Sequence, residues 1–163
     1  MTTRNSAAAG PAPLGGAGLS TPTTGTRSWK GDYVLRAALY LAVRHDDGRW
    51  VKAREIAEYA DIPRSYVAQI VGLLIRSKLV EAHAGPNGGY RLVRAPDEIS
   101  VLEVVDIDTA AAAPPRCILR GVGCGPTNRC AMHDIWAAGM AAFQTELAGH
   151  SLAQVAKRTT SRR

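Results

Sequence analysis

The chain has 163 residues, 46% of them apolar, enough for one ordinary domain with a core and tails. Its formal charge of +6 favours a polyanionic partner, nucleic acid first among them. No run of about 18 apolar residues occurs and the first residues lack the apolar stretch of a secretory leader, so neither a membrane span nor export is expected. Three cysteines exclude a purely disulfide-paired framework, and a reducing cytoplasm fits best.

Residues 1–28 are Ala, Gly, Pro, Ser and Thr with almost no large apolar side chain, and read as a disordered tail. A first helix is expected over 31–45, with Val34, Ala37, Ala38, Leu41 and Ala42 at helical spacing. Asp46-Asp47-Gly48 supplies turn chemistry. A short second helix follows over 52–60, with Ala53, Ile56, Ala57 and Ala60 as its apolar face. Asp61-Ile62-Pro63 breaks it, and a third helix runs over 64–77 with Val67, Ile70, Val71, Leu74 and Ile75 inside. Two helices separated by three residues have the spacing of a helix-turn-helix. The outward side chains of the third helix are Arg64, Ser65, Tyr66, Gln69 and Arg76. Arg64 can fork onto guanine or phosphate, and Gln69 can pair with an adenine edge.

Residues 79–84 read as a strand, Gly85-Pro86-Asn87-Gly88-Gly89 as a tight turn, and 90–93 as the return strand. A hairpin placed directly after a recognition helix is a wing, with His83, Gly85, Asn87, Gly88, Gly89 and Arg91 as candidate contacts to the duplex backbone or minor groove. A short apolar helix follows, carrying Ile99, Val101, Leu102, Val104 and Val105, and residues 110–115 read as a linker. Cys117, Cys124, Cys130 and His133 then lie close together in a glycine- and proline-rich stretch. Such a loop can wrap, and four soft or borderline donors suit an iron–sulfur cluster or zinc. The last helix, over 131–148, has an apolar stripe of Ile135, Trp136, Met140, Phe143 and Leu147. This stripe is too apolar for a lone surface helix and predicts packing on a partner subunit. The basic end, 157–163, reads as frayed.

These residues resemble the Rrf-type family of winged-helix iron–sulfur transcriptional regulators, which includes IscR- and NsrR-type proteins. The likeness rests on Lys30-Gly31-Asp32-Tyr33, on Ile56-Ala57 through Ile62-Pro63-Arg64-Ser65-Tyr66, and on the wing Gly85-Pro86-Asn87-Gly88-Gly89-Tyr90. Ile99 to Val105, the cysteine trio and Ser151-Leu152-Ala153-Gln154-Val155 complete it, so that it covers 29–156. The resemblance implies a mainly α fold with a small β-hairpin wing, a winged helix-turn-helix domain over 29–108, a cluster loop over 109–130, a long dimerisation helix over 131–150 and a tail over 151–163. It also implies a homodimer on double-stranded DNA, acting as a repressor. One cluster per subunit, 2Fe–2S or 4Fe–4S, would be held by Cys117, Cys124 and Cys130. His133 matches the IscR-type fourth ligand, and Asp32 matches the aspartate that NsrR-type proteins present from the other subunit. Two positions depart from the family: Ala84 stands where many relatives have a wing arginine, and Ala68 where IscR-type proteins have a glutamate. Base preference is therefore expected to differ.

Two further readings keep DNA binding but change the sensor: zinc held by Cys₃His, or cysteines acting as thiol switches without metal. A thiol enzyme using Cys130 and His133 would need a substrate pocket and an oxyanion hole, and nothing in the sequence supplies either.

Overall fold

The computed structural model describes residues 29–109 and 128–161. The expected N-terminal tail, the 110–115 linker, Cys117 and Cys124 lie outside the described residues. Helix α1 (Trp29–Val43) runs through the centre. Its expected stripe is buried throughout, and Leu39 and Tyr40 are buried as well. A helix apolar on more than one face needs cover from several sides. Here α2 (Ala53–Ala60), α3 (Arg64–Arg76), α4 (Val101–Thr109), α6 (Leu152–Ser161) and strand β2 (Gly89–Leu92) all pack on it. Leu41, Ile56, Ile70, Leu74, Ile99 and Leu152 are the largest fully buried side chains. Each is worth about 1.5–3 kcal/mol relative to exposure.

Strand β1 (Val80–His83) pairs antiparallel with β2, with Val80 opposite Leu92 and His83 opposite Gly89. The hairpin is anchored from a third side. Val51 forms an antiparallel bridge to Tyr90, each backbone N–H donating to the other's carbonyl at 2.9 Å. Among the described residues the architecture is thus mainly helical with one small hairpin, as the sequence implies.

The C-terminal segment departs from expectation. The segment expected to be a tail over 151–163, frayed over 157–163, instead carries helix α6, with Leu152 and Ala156 in the core. The reason is local. Ser151 Oγ accepts from the Gln154 N–H at 3.3 Å while Gln154 Oε1 accepts from the Ser151 N–H at 3.2 Å. Ser100 and Glu103 make the same reciprocal pair at the start of α4, at 3.1 and 3.0 Å. Each is a capping box that satisfies two orphan N–H groups. The two helix starts are joined by Val101 N–H to His150 O and Leu152 N–H to Ile99 O, at 2.8 and 2.9 Å. The Ser-Leu-Ala-Gln-Val and Ile-Ser-Val-Leu-Glu stretches are therefore two halves of one junction.

Helix α5 (His133–Ala148) leans on α4, but none of its residues is buried. Ile135 is 66% and Phe143 42% exposed. Among the described residues, no helix is long and apolar enough to cross a membrane.

Candidate functional site

The helix-turn-helix is built on a tight chain reversal. Asp61 adopts the left-handed conformation (φ 53°, ψ 51°), which Asp tolerates better than most residues. Its N–H donates to Ala57 O, as does that of Ile62 at 3.0 Å. Ile62 is buried, which plugs the turn into the core. From there α3 sends Val67, Ile70, Val71 and Leu74 inward. Arg64, Ser65, Tyr66, Gln69 and Arg76 share the exposed side, as expected from the sequence, whereas Ile75 is 38% exposed instead of inside. Arg64 Nη2 lies 3.6 Å from Glu58, which also faces Arg54 at 3.6 Å. Ion pairs this exposed are worth little, so Arg64 can exchange Glu58 for phosphate or guanine.

Glu55 fixes the start of α2. Arg49 donates to both its carboxylate oxygens, at 3.0 and 2.6 Å, and the Lys52 N–H donates at 3.0 Å. These donors, Arg49 foremost, hold the Glu55 carboxyl at about 2 against an ordinary 4.5, and raise the Arg49 pKa in turn. Tyr40 stacks on Tyr59 with ring centres 4.3 Å apart. Burial, then the Glu55 charge, pushes its phenol pKa up.

The wing glycines answer to the backbone. Gly85 has φ 108°, a conformation that side chains rarely adopt, and its carbonyl accepts from Gly88 N–H at 3.0 Å. A Cβ on Gly88 would sit 2.0 Å from His83 O, and one on Gly89 would sit 2.4 Å from Val51 O. Gly88 is buried, whereas Gly85, Pro86 and Asn87 at the tip are all exposed.

Two connector residues were not legible as functional. Trp50 stacks on His83 (centres 5.2 Å apart), and the Arg91 guanidinium lies 4.3 Å over the same indole. Arg91 Nε also donates to Glu81 at 2.5 Å. His83 and Arg91 of the wing thus share one aromatic platform, with Arg91 as its cation–π partner. The signal was the alternation of Glu81, His83 and Arg91, which places all three on one hairpin face. Lys52 reaches across to the wing turn, its ammonium donating to Pro86 O and Gly88 O. Nothing in its local sequence marks it.

Of the expected metal donors, Cys130 and His133 are placed together. Cys130 is partly buried in the turn entering α5, and its carbonyl accepts from the His133 N–H at 3.0 Å. His133, the first residue of α5, is half-buried. Asp32 is exposed and pairs with Arg36 at 2.8 Å, while Arg36 also approaches Ala60 O at 3.4 Å. Among the described residues, no group of three potential ligands is assembled.

Residues 27–158 match the model of the Rrf2 family, described as an iron-dependent transcriptional regulator. The chain is similar to the HTH-type transcriptional regulator IscR of Aliivibrio salmonicida, with 32% identity over 126 residues, 77% of this chain and 74% of that protein. Its fold is similar to the solved structure of T. potens IscR (TM-score 0.66, 22% identity, 85% of this chain and 90% of that one). It is also similar to CymR, the global cysteine regulator of B. subtilis (TM-score 0.69, 23% identity, 83% and 98%). At these identities the solved structures show the fold alone.

Proposed function

Because the chain belongs to the Rrf2 family of transcriptional regulators, we propose that it is a DNA-binding repressor that senses redox state, nitric oxide or iron–sulfur status. The family and these relatives are regulators of transcription, not enzymes. The observation that carries the reading is the exposed polar side of the first two turns of α3. Arg64, Ser65, Tyr66 and Gln69 stand exposed beside a wing whose tip is exposed too, while Val67, Ile70, Val71 and Leu74 of the same helix are locked into the core. This is the arrangement that lets a helix enter a major groove and a hairpin follow the adjoining backbone.

The sensor in this reading is an iron–sulfur cluster, 2Fe–2S or 4Fe–4S, held by Cys117, Cys124, Cys130 and His133. The donor chemistry fits: a cysteine at a helix N-terminus and an imidazole one turn on are thiolate and borderline-nitrogen ligands. A second observation agrees. The buried indole N–H of Trp136, three residues after His133, lacks an acceptor among the described residues and can donate to sulfur. Asp32 is the weaker candidate because Arg36 occupies its carboxylate. When bound, a cluster with one non-cysteine ligand supplies a labile, redox-active iron. The chain's own part is to couple loop to reading head. Cys130 and His133 open α5, α5 leans on α4, and α4 packs on α1 and α3. Two copies joined through the exposed face of α5 would present two recognition helices to paired half-sites, in the cytoplasm.

Anaerobic purification with iron, zinc and acid-labile sulfide counting tests the reading. A coloured protein containing iron and sulfide is expected. Stoichiometric zinc in a colourless protein would replace it with a zinc-stabilised regulator, and absence of both metals with a thiol switch. His133→Ala is expected to alter the visible spectrum and Asp32→Ala to leave it unchanged.

A further inference from the structure

We infer that Lys52 is a positioning residue for the wing: its ammonium ties the wing turn to the start of the helix-turn-helix instead of serving as a phosphate contact. The inference rests on the DNA-binding reading above. Three observations carry it. The Lys52 Nζ donates to both Pro86 O and Gly88 O, carbonyls 34 and 36 residues away that flank the exposed Asn87. The backbone of the same residue is fixed independently. Its N–H donates to Glu55 Oε1 and its carbonyl accepts from the Glu55 and Ile56 N–H groups, at 3.0 and 3.2 Å. One residue earlier, Val51 is bridged to Tyr90 of β2. The lysine therefore projects from a rigid anchor, and its charge is spent on two carbonyls of a turn that also carries the Gly88-to-Gly85 bond.

The geometry has a consequence for recognition. The tip of the wing carries no basic side chain, since Pro86 and Asn87 lie at its apex and Ala84 precedes Gly85. Its contribution to binding must come from backbone N–H groups and the Asn87 amide held at fixed positions. Fixed donors bind phosphate more tightly than mobile ones because less ordering remains to be done on association. Lys52 bonds to carbonyls of the turn and competes for none of its N–H groups. A lysine engaged this way adds pre-organisation without adding a counterion-releasing contact.

The test is Lys52→Met, with Lys52→Arg as the variant that keeps cation and donors, in the full-length protein. Amide exchange of Gly88, measured without DNA, is expected to speed up about tenfold in Lys52→Met, as for a turn losing charge-assisted bonds. Lys52→Arg should stay close to wild type. The thermal midpoint should hold, because the capping bonds of Lys52 are backbone bonds. On a promoter duplex, Lys52→Met should bind about three- to tenfold more weakly at every salt concentration, with the slope of log K against log salt unchanged. Unchanged Gly88 exchange overturns the inference. So does a slope that shrinks by about one unit, the signature of a lost phosphate contact. If wild type ignores every duplex, the DNA-binding reading fails, whereas the exchange measurement still judges the strut.

Discussion

Glu55 shows how much one side chain can organise, because it joins α2 to the connector before it, which pairs with the wing through Val51. Its carboxyl sits at about 2 in the folded chain, so folding favours its ionised form. That stability is complete above about pH 4.5 and is lost as pH falls toward 2, where the folded state must also take up the proton. The full shift corresponds to about 3 kcal/mol, and with Arg49 more than a third exposed about 1–2 kcal/mol is the realistic figure. The stability gap between wild type and Glu55→Gln, followed by urea denaturation, should be constant from pH 7 to 5 and close between pH 4.5 and 2. Gly88 makes a sterically sharper case. Gly88→Ala places a methyl within 2.0 Å of His83 O, so the turn must move. We expect weakened DNA binding with little loss of α-helical circular dichroism. The glycine's turn role was legible in the sequence, since Asn-Gly names a hairpin. Its burial was not, because nothing local says which side of the turn faces the protein.

At the scale of elements, the helices were legible wherever burial is periodic. Val67, Ile70, Val71 and Leu74 announce the inner face of α3 on spacing alone, and all are buried. Helix α6 was missed because its core contact reduces to Leu152 and Ala156 in an otherwise polar, basic segment. The information lay in the caps: Ser-x-x-Gln at 151–154 repeats Ser-x-x-Glu at 100–103, and the two boxes face each other. If α6 is structural, Leu152→Ala should cost about 2–5 kcal/mol and Ser151→Ala about 1 kcal/mol in chemical denaturation. A tail would show neither. Trp50 and Lys52 escaped notice for a different reason. Single residues in a connector carry no period, and their partners on the wing lie more than thirty positions away.

At the scale of the molecule, a single copy leaves α5 half covered. Its Ile135 and Phe143 lie exposed while the core of the reading head is closed. An apolar stripe of that kind argues for a second copy, and paired copies give the half-site spacing that a palindromic operator needs. Ile135→Glu combined with Phe143→Glu should convert a dimer to monomers in sedimentation and reduce operator affinity at least tenfold. The winged-helix class, the regulator family and the order of motifs were legible in the sequence. The ligand set was legible as residue types only, because the glycine- and proline-rich stretch that carries the cysteines has no apolar period to place them. Most direct for the central claim is operator affinity by fluorescence anisotropy, under anaerobic conditions, on one preparation before and after chelation of its iron. The account predicts a coloured, iron- and sulfide-containing protein whose affinity changes at least tenfold on stripping and returns on reconstitution. Equal affinity in the two forms, with Cys124→Ala indistinguishable from wild type, would contradict it.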